Sequence, residues 1–107
     1  MLENQLGQHA LVSGVVQGVF FRQGTQQQAL VLGLQGWVRN LTDGRVEVVW
    51  QGPTQGVAAM RAWLQHGPRA ARVERLDCAD ASLQPMQGFE VLPTADGPCD
   101  PKHAHLA

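Results

Sequence analysis

The sequence predicts an α+β fold, a two-layer sandwich in which two helices cover one face of an antiparallel sheet. Three observations predict it. Two stretches carry the helical period with one apolar stripe each, two β-rich runs flank an Asp43-Gly44 hairpin signal, and the elements follow one another as β-α-β-β-α-β. A chain of 107 residues is one domain, long enough to bury a single core without staples.

His9 to Val16 is mostly small, apolar or β-branched and reads as a strand, which Gly18 interrupts before a helical pattern begins. In the helix from Phe21 to Leu32, Phe21, Thr25, Ala29 and Leu32 form one stripe toward a core, with Gln23, Gln26 and Gln27 facing water. Gly33 is placed as its C-terminal cap. Gln35–Asn40 and Val46–Gln51 form the hairpin, and in the second strand Val46, Val48 and Trp50 alternate with Glu47, Val49 and Gln51. One face of that strand is therefore apolar and the other mixed. Gly52-Pro53 closes it, and Thr54 can cap a helix that buries Val57, Met60 and Leu64, flanked by Trp63, and that His66-Gly67-Pro68 ends. Ala71 to Ala79 reads as a strand, Gln84 to Gln87 as a turn and Phe89 to Leu92 as a short last strand. This order is that of a ferredoxin-like sandwich spanning residues 1–92. The remainder, PTADGPCDPKHAHLA (93–107), has three prolines and almost no apolar periodicity, so a flexible tail is expected.

Composition narrows the function classes. Apolar residues make up 44% of the chain and charged ones 16%, and 13 glutamines supply much of the polarity, as in a compact soluble protein. The formal net charge is −1, with seven Arg and one Lys scattered, so no broad field exists to grip a nucleic-acid backbone or an anionic membrane. RNA binding on this scaffold would need exposed aromatics and a basic surface, and the chain has no Tyr. Cys78 and Cys99 form no C-x-x-C pair and have no histidine at zinc-site spacing; they read as thiols in a reducing compartment, a disulfide between them being left open. His103 and His105 are too few to define a metal site, and His9 and His66 are not candidate bases. The start, MLENQLGQHA, does not read as a signal peptide, and no 18 apolar residues run together. The expectation is a cytoplasmic monomer with no cofactor, metal, nucleic-acid or membrane partner.

The chemistry is expected in GVVQGVFFR (residues 14–22), between the first strand and the first helix. Free backbone N–H groups and the positive end of a helix dipole coincide at such a place. Gly18 lets the loop curl into a nest of N–H groups, and Arg22 in the first turn adds a planar, permanently charged fork, so the whole suits a phosphate-like dianion. Taken alone, the stretch also reads as an ordinary turn followed by a solvated arginine. It is neither a dinucleotide fingerprint nor a Walker loop, because GxGxxG and the GK[ST] ending are both absent.

The segment from Val12 to Arg22 resembles the phosphate-loop signature of the acylphosphatase family. Gly36-Trp37-Val38-Arg39-Asn40, then Asp43-Gly44-Arg45-Val46-Glu47 and Gly52, is similar to that family's second signature. The resemblance runs from about Ala10 to Leu92. It implies hydrolysis of acyl phosphates to a carboxylate and inorganic phosphate without a metal. It also implies the roles: Arg22 and the backbone N–H groups of Gln17, Gly18, Val19, Phe20, Phe21 and Arg22 would hold the phosphoryl group, and Asn40 would orient the attacking water. A carboxylate is a stable leaving group that needs little help from a general acid, which agrees with the lack of an obvious acid in the loop. The alternative is a non-catalytic anion-binding regulatory or interaction module on the same fold. Asn40 at a strand end could also simply satisfy local backbone groups. Trp37 and Trp50 read as packing residues, and Arg39 as a solvated charge pointing away from Asn40.

Overall fold

The computed structural model describes residues 4–99. Its elements are β1 (Gln5–Val15), α1 (Phe21–Val31), β2 (Gln35–Asn40), β3 (Val46–Pro53), α2 (Thr54–Leu64), β4 (Arg72–Ala81) and β5 (Phe89–Val91). They build one sheet of order β4-β1-β3-β2-β5, with both helices packed on one face in the ferredoxin-like arrangement.

The alternation in β3 divides the layers. Val46, Val48 and Trp50 point to the helices, where they meet Ala10, Val12 and Val38 from the sheet, Phe21 and Ala29 from α1, and Val57, Met60 and Leu64 from α2. Trp50 Nε1 donates to Val57 O at 3.1 Å, pinning α2 on the sheet. A Schellman closure ends α1 as the glycine suggests: Gly33 N–H donates to Leu30 O at 3.2 Å and Leu34 N–H to Ala29 O at 2.9 Å. Thr54, in contrast, is not a cap. Pro53 occupies that position, and the Thr54 hydroxyl donates to Asn4 O at 3.1 Å.

The sheet is mixed, not wholly antiparallel. β1–β3, β1–β4 and β2–β3 are antiparallel, but β5 lies parallel to β2. The reason is the path between the two edges. β4 and β5 sit at opposite edges, and residues 82–88 cross the face away from the helices. Gln84 N–H donates to Gln51 Oε1 at 2.9 Å on the way, and Met86 packs on Trp37 and Val49.

That second face is buried too. Residues 93–99, the described part of the expected tail, are tied to the sheet: Ala95 N–H donates to Asn40 O at 3.1 Å, Thr42 N–H to Ala95 O at 2.9 Å and Cys99 N–H to Glu47 Oε2 at 2.9 Å. His103 and His105 lie outside the described residues. Beneath this segment sits a charged cluster. Arg39 Nε and His9 Nε2 each meet the Glu47 carboxylate at 2.7 Å, and the Arg39 guanidinium stacks over Trp37 at 4.6 Å. Arg39 is thus a buried ion-pair partner and not a solvated charge. Burial by itself raises the Glu47 carboxyl, but the hydrogen bonds from His9 and Arg39 and the guanidinium charge outweigh it and hold the group below its ordinary value. Burial and the neighbouring Glu47 carboxylate push the Cys99 thiol up to about 11.

Candidate active site

The turn between β1 and α1 is built by backbone conformations that the sequence permits only narrowly. Gly18 has φ +74°, in the left-handed region that a glycine enters without steric penalty. Phe20 has φ 61°, uncommon for a bulky residue, and the residue is 75% exposed at the mouth of a cleft. Phe20 is also the N-cap of α1, and it supplies no side-chain capping bond. The first-turn N–H groups of α1 therefore keep their hydrogen-bonding capacity for a ligand, at the positive end of the helix.

Two anchors hold the turn in place. The Gln17 carboxamide donates to Leu41 O at 2.8 Å and to Arg45 O at 2.9 Å, which ties the turn to the β2–β3 hairpin. Phe21 is buried in the core and stacks at a tilt on Trp63, with ring centroids 5.9 Å apart. Gly67, after α2, makes room for it, because a Cβ there would lie 2.4 Å from the Phe21 ring. The hairpin itself is fixed at its tip, where the Arg45 side chain grips the Asp43 carboxylate at 2.7 Å. The hydrogen bonds from Arg45 hold that carboxyl below its usual range.

Between these parts lies a cleft of about 460 Å³ lined by Gly18, Phe20, Phe21, Arg22, Asn40 and Gln26, with Val16, Gln23 and Val91 completing it. Asn40, at the end of β2, is held through its backbone by β3 on one side and by Ala95 on the other. Its Oδ1 is buried without a hydrogen-bond partner among the described residues. Such an acceptor is costly unless something binds it, and of the three buried side-chain atoms of this kind it alone belongs to a cleft-lining residue. Arg22 has no carboxylate within 4.0 Å among the described residues, so its guanidinium is not already neutralised by an ion pair. The cleft thus offers a cation and helix N–H groups to an anion, beside an amide oxygen that can fix a water.

Of the residues expected here from sequence, Arg22, Asn40, Gly18, Phe20 and Phe21 come together around the cleft. Gln17 and Val19 do not line it with their side chains; Gln17 braces the hairpin and Val19 packs against the core. Gln23 is exposed as expected and borders the cleft, whereas Gln26, also expected to face water, is half-buried in it, and its Nε2 donates to Phe89 O at 2.8 Å. The signal for Gln26 was present in the helical spacing, since it follows Arg22 by one turn. Val91 could not be found that way, because β5 reaches the cleft only through the sheet order.

A model of the Acylphosphatase family matches residues 8–91. The acylphosphatase of Pseudomonas paraeruginosa is 54% identical over 83 residues, covering 78% of this chain and 91% of that protein. Among solved structures, an acylphosphatase from Coxiella burnetii superimposes with a TM-score of 0.80 at 37% identity, covering 83% of this chain and 94% of that one. The acylphosphatase from Bacillus subtilis gives 0.79 at 32% identity, covering 81% and 98%. Full-length HypF gives 0.83 at 18% identity over 13% of its length and 91% of this chain, a likeness of fold alone.

Proposed function

The chain belongs to the acylphosphatase family and hydrolyses the carboxyl-phosphate bond of acyl phosphates, and we propose that the cleft between the β1–α1 turn and Asn40 does this without a metal. The phosphoryl group sits against the turn, where the backbone N–H groups of residues 17–22 and the Arg22 guanidinium meet its equatorial oxygens. Asn40 Oδ1 accepts a hydrogen bond from a water and holds it in line with the leaving carboxylate. That water attacks phosphorus, the P–O bond to the acyl group breaks, and the carboxylate leaves with its electron pair, giving inorganic phosphate. Little protonation of the leaving group is required, so no acid needs to stand beside it.

The observation that carries this reading is the buried, unpartnered Asn40 Oδ1 in the same cleft as Arg22 and the uncapped start of α1. We further place the enzyme in the cytoplasm as a monomer. The free Cys78 thiol supports the compartment, and among the described residues no helix is long and apolar enough to cross a membrane.

Phosphate release from benzoyl phosphate in the presence of EDTA tests the roles. Arg22→Ala loses about 2–4 kcal/mol of transition-state stabilisation, and inhibition by inorganic phosphate weakens with it. In Asn40→Ala kcat collapses while phosphate inhibition stays near wild type. Equal losses of kcat and phosphate affinity in Asn40→Ala would make Asn40 an anion ligand. No turnover by the folded wild type would overturn the reading.

A further inference from the structure

On the sheet face away from the helices, three metal-ligating side chains converge from distant parts of the sequence. His9 Nε2 on β1, Glu47 Oε2 on β3 and Cys99 Sγ lie within 4.8 Å of one another. We propose that His9, Glu47 and Cys99 form a site for a borderline-soft divalent cation, Zn²⁺, that clasps residues 93–99 onto the sheet.

Two of the three ligand–ligand distances can be set against what the ion demands, and the third, His9 Nε2 to Cys99 Sγ, lies within 4.8 Å. Tetrahedral Zn²⁺, with bonds of about 2.0 Å to nitrogen and oxygen and about 2.3 Å to sulfur, sets S···O near 3.5 Å and N···O near 3.3 Å. Cys99 Sγ and Glu47 Oε2 are already 3.5 Å apart. His9 Nε2 and Glu47 Oε2, now 2.7 Å apart, must open by roughly 0.6 Å. The set of one imidazole, one thiolate and one carboxylate suits zinc, whereas calcium and magnesium want oxygen alone.

The surroundings support the ligands. Arg39 Nε holds Glu47 Oε1 at 2.7 Å, which fixes the carboxylate plane and leaves Oε2 directed at His9 and Cys99. The guanidinium charge balances the carboxylate, so the thiolate meets one of the ion's two charges and the loaded site carries a net +1. A cavity of about 330 Å³ reaches His9 and Cys99 between Leu11, Asp77, Ala79 and Pro98, giving the ion a path in and room for a water as fourth ligand. Binding replaces the S–H bond of Cys99 with a Zn–S bond and releases one proton to solvent.

The site is far from the Arg22 cleft in chemistry and does not rest on the mechanism proposed for it. Its consequence is structural: residues 93–99 carry Ala95, which holds the Asn40 carbonyl, so the clasp steadies the strand end beside the cleft.

Titration of the metal-stripped, reduced full-length chain with Co²⁺ as spectroscopic stand-in, followed by Zn²⁺ competition, tests the site. One Co²⁺ per chain with a thiolate-to-cobalt charge-transfer band, release of a proton and a higher Tm with Zn²⁺ are expected. Cys99→Ser should lose the band and weaken binding on the order of 100-fold, while Cys78→Ser and a His103→Ala/His105→Ala double variant keep both. Cys99 is partly exposed, so its serine variant is expected to fold, and the unchanged circular dichroism of that variant is the control. No band in the wild type, or a band that survives Cys99→Ser or disappears with either of the other variants, overturns the proposal.

Discussion

Replacing Gln17 with Met keeps the length of the side chain but removes the donor that joins the β1–α1 turn to the β2–β3 hairpin. Two neutral hydrogen bonds are lost, at 2.8 and 2.9 Å, and the Leu41 and Arg45 carbonyls lose a partner. At about 1 kcal/mol for each bond the total is about 2 kcal/mol. Gln17 is only half-buried, so water recovers part of this, and a loss of about 1–2 kcal/mol is expected in urea unfolding with an unchanged m-value. The functional loss should be larger in proportion. The turn and Asn40 are positioned relative to each other through this bridge, and a displacement of about 1 Å between reacting groups costs about 100-fold in rate. kcat/KM for benzoyl phosphate should therefore fall by about 10- to 100-fold although Gln17 Nε2 is engaged with the hairpin. Wild-type stability together with wild-type kinetics in Gln17→Met would refute the claim that this side chain aligns the two halves of the cleft.

Gly18→Ala isolates the backbone requirement, because a Cβ there meets nothing within 4 Å and only the φ of +74° resists it. It should cost about 1 kcal/mol in urea unfolding and weaken phosphate inhibition; no change in either would show that the turn does not need the left-handed conformation. Acid should act through Glu47, whose carboxyl in the folded chain titrates below its ordinary value. Its contribution to stability is full above the unfolded value of about 4.3 and is lost as pH falls through the lower folded value, so urea midpoints should drop below about pH 4. Glu47→Gln, less stable at neutral pH, should show a shallower decline over that window, and an unchanged slope would place the acid sensitivity elsewhere.

Much of the fold was legible because local signals agreed with one another. The 3.6-residue stripe of Phe21, Thr25 and Ala29 and that of Val57, Met60 and Leu64 became the buried faces of the two helices, and Asp43-Gly44 became the hairpin tip. Gly18 and Arg22 were expected in one anion-binding turn, although the stretch taken alone also reads as an ordinary turn, and the structure brings both to the same cleft. What was hidden depends on long-range contacts. Nothing local to Phe89–Val91 says that this strand pairs parallel with β2, because its direction follows from the crossing of residues 82–88. Arg39 looked solvated because its partner Glu47 is eight residues away across the hairpin, and the cover of that pair comes from residues 93–99. That segment is held by backbone hydrogen bonds and one carboxylate, neither of which leaves an apolar period to read.

Hydrolysis of benzoyl phosphate in ¹⁸O-labelled water, with mass analysis of both products from a single turnover, tests the central claim most directly. Attack by a water held at Asn40 on a phosphoryl group held at Arg22 puts the label in inorganic phosphate and leaves benzoate unlabelled. Label in benzoate would mean that water attacks the carbonyl carbon, and the arrangement assigned to this cleft would be wrong.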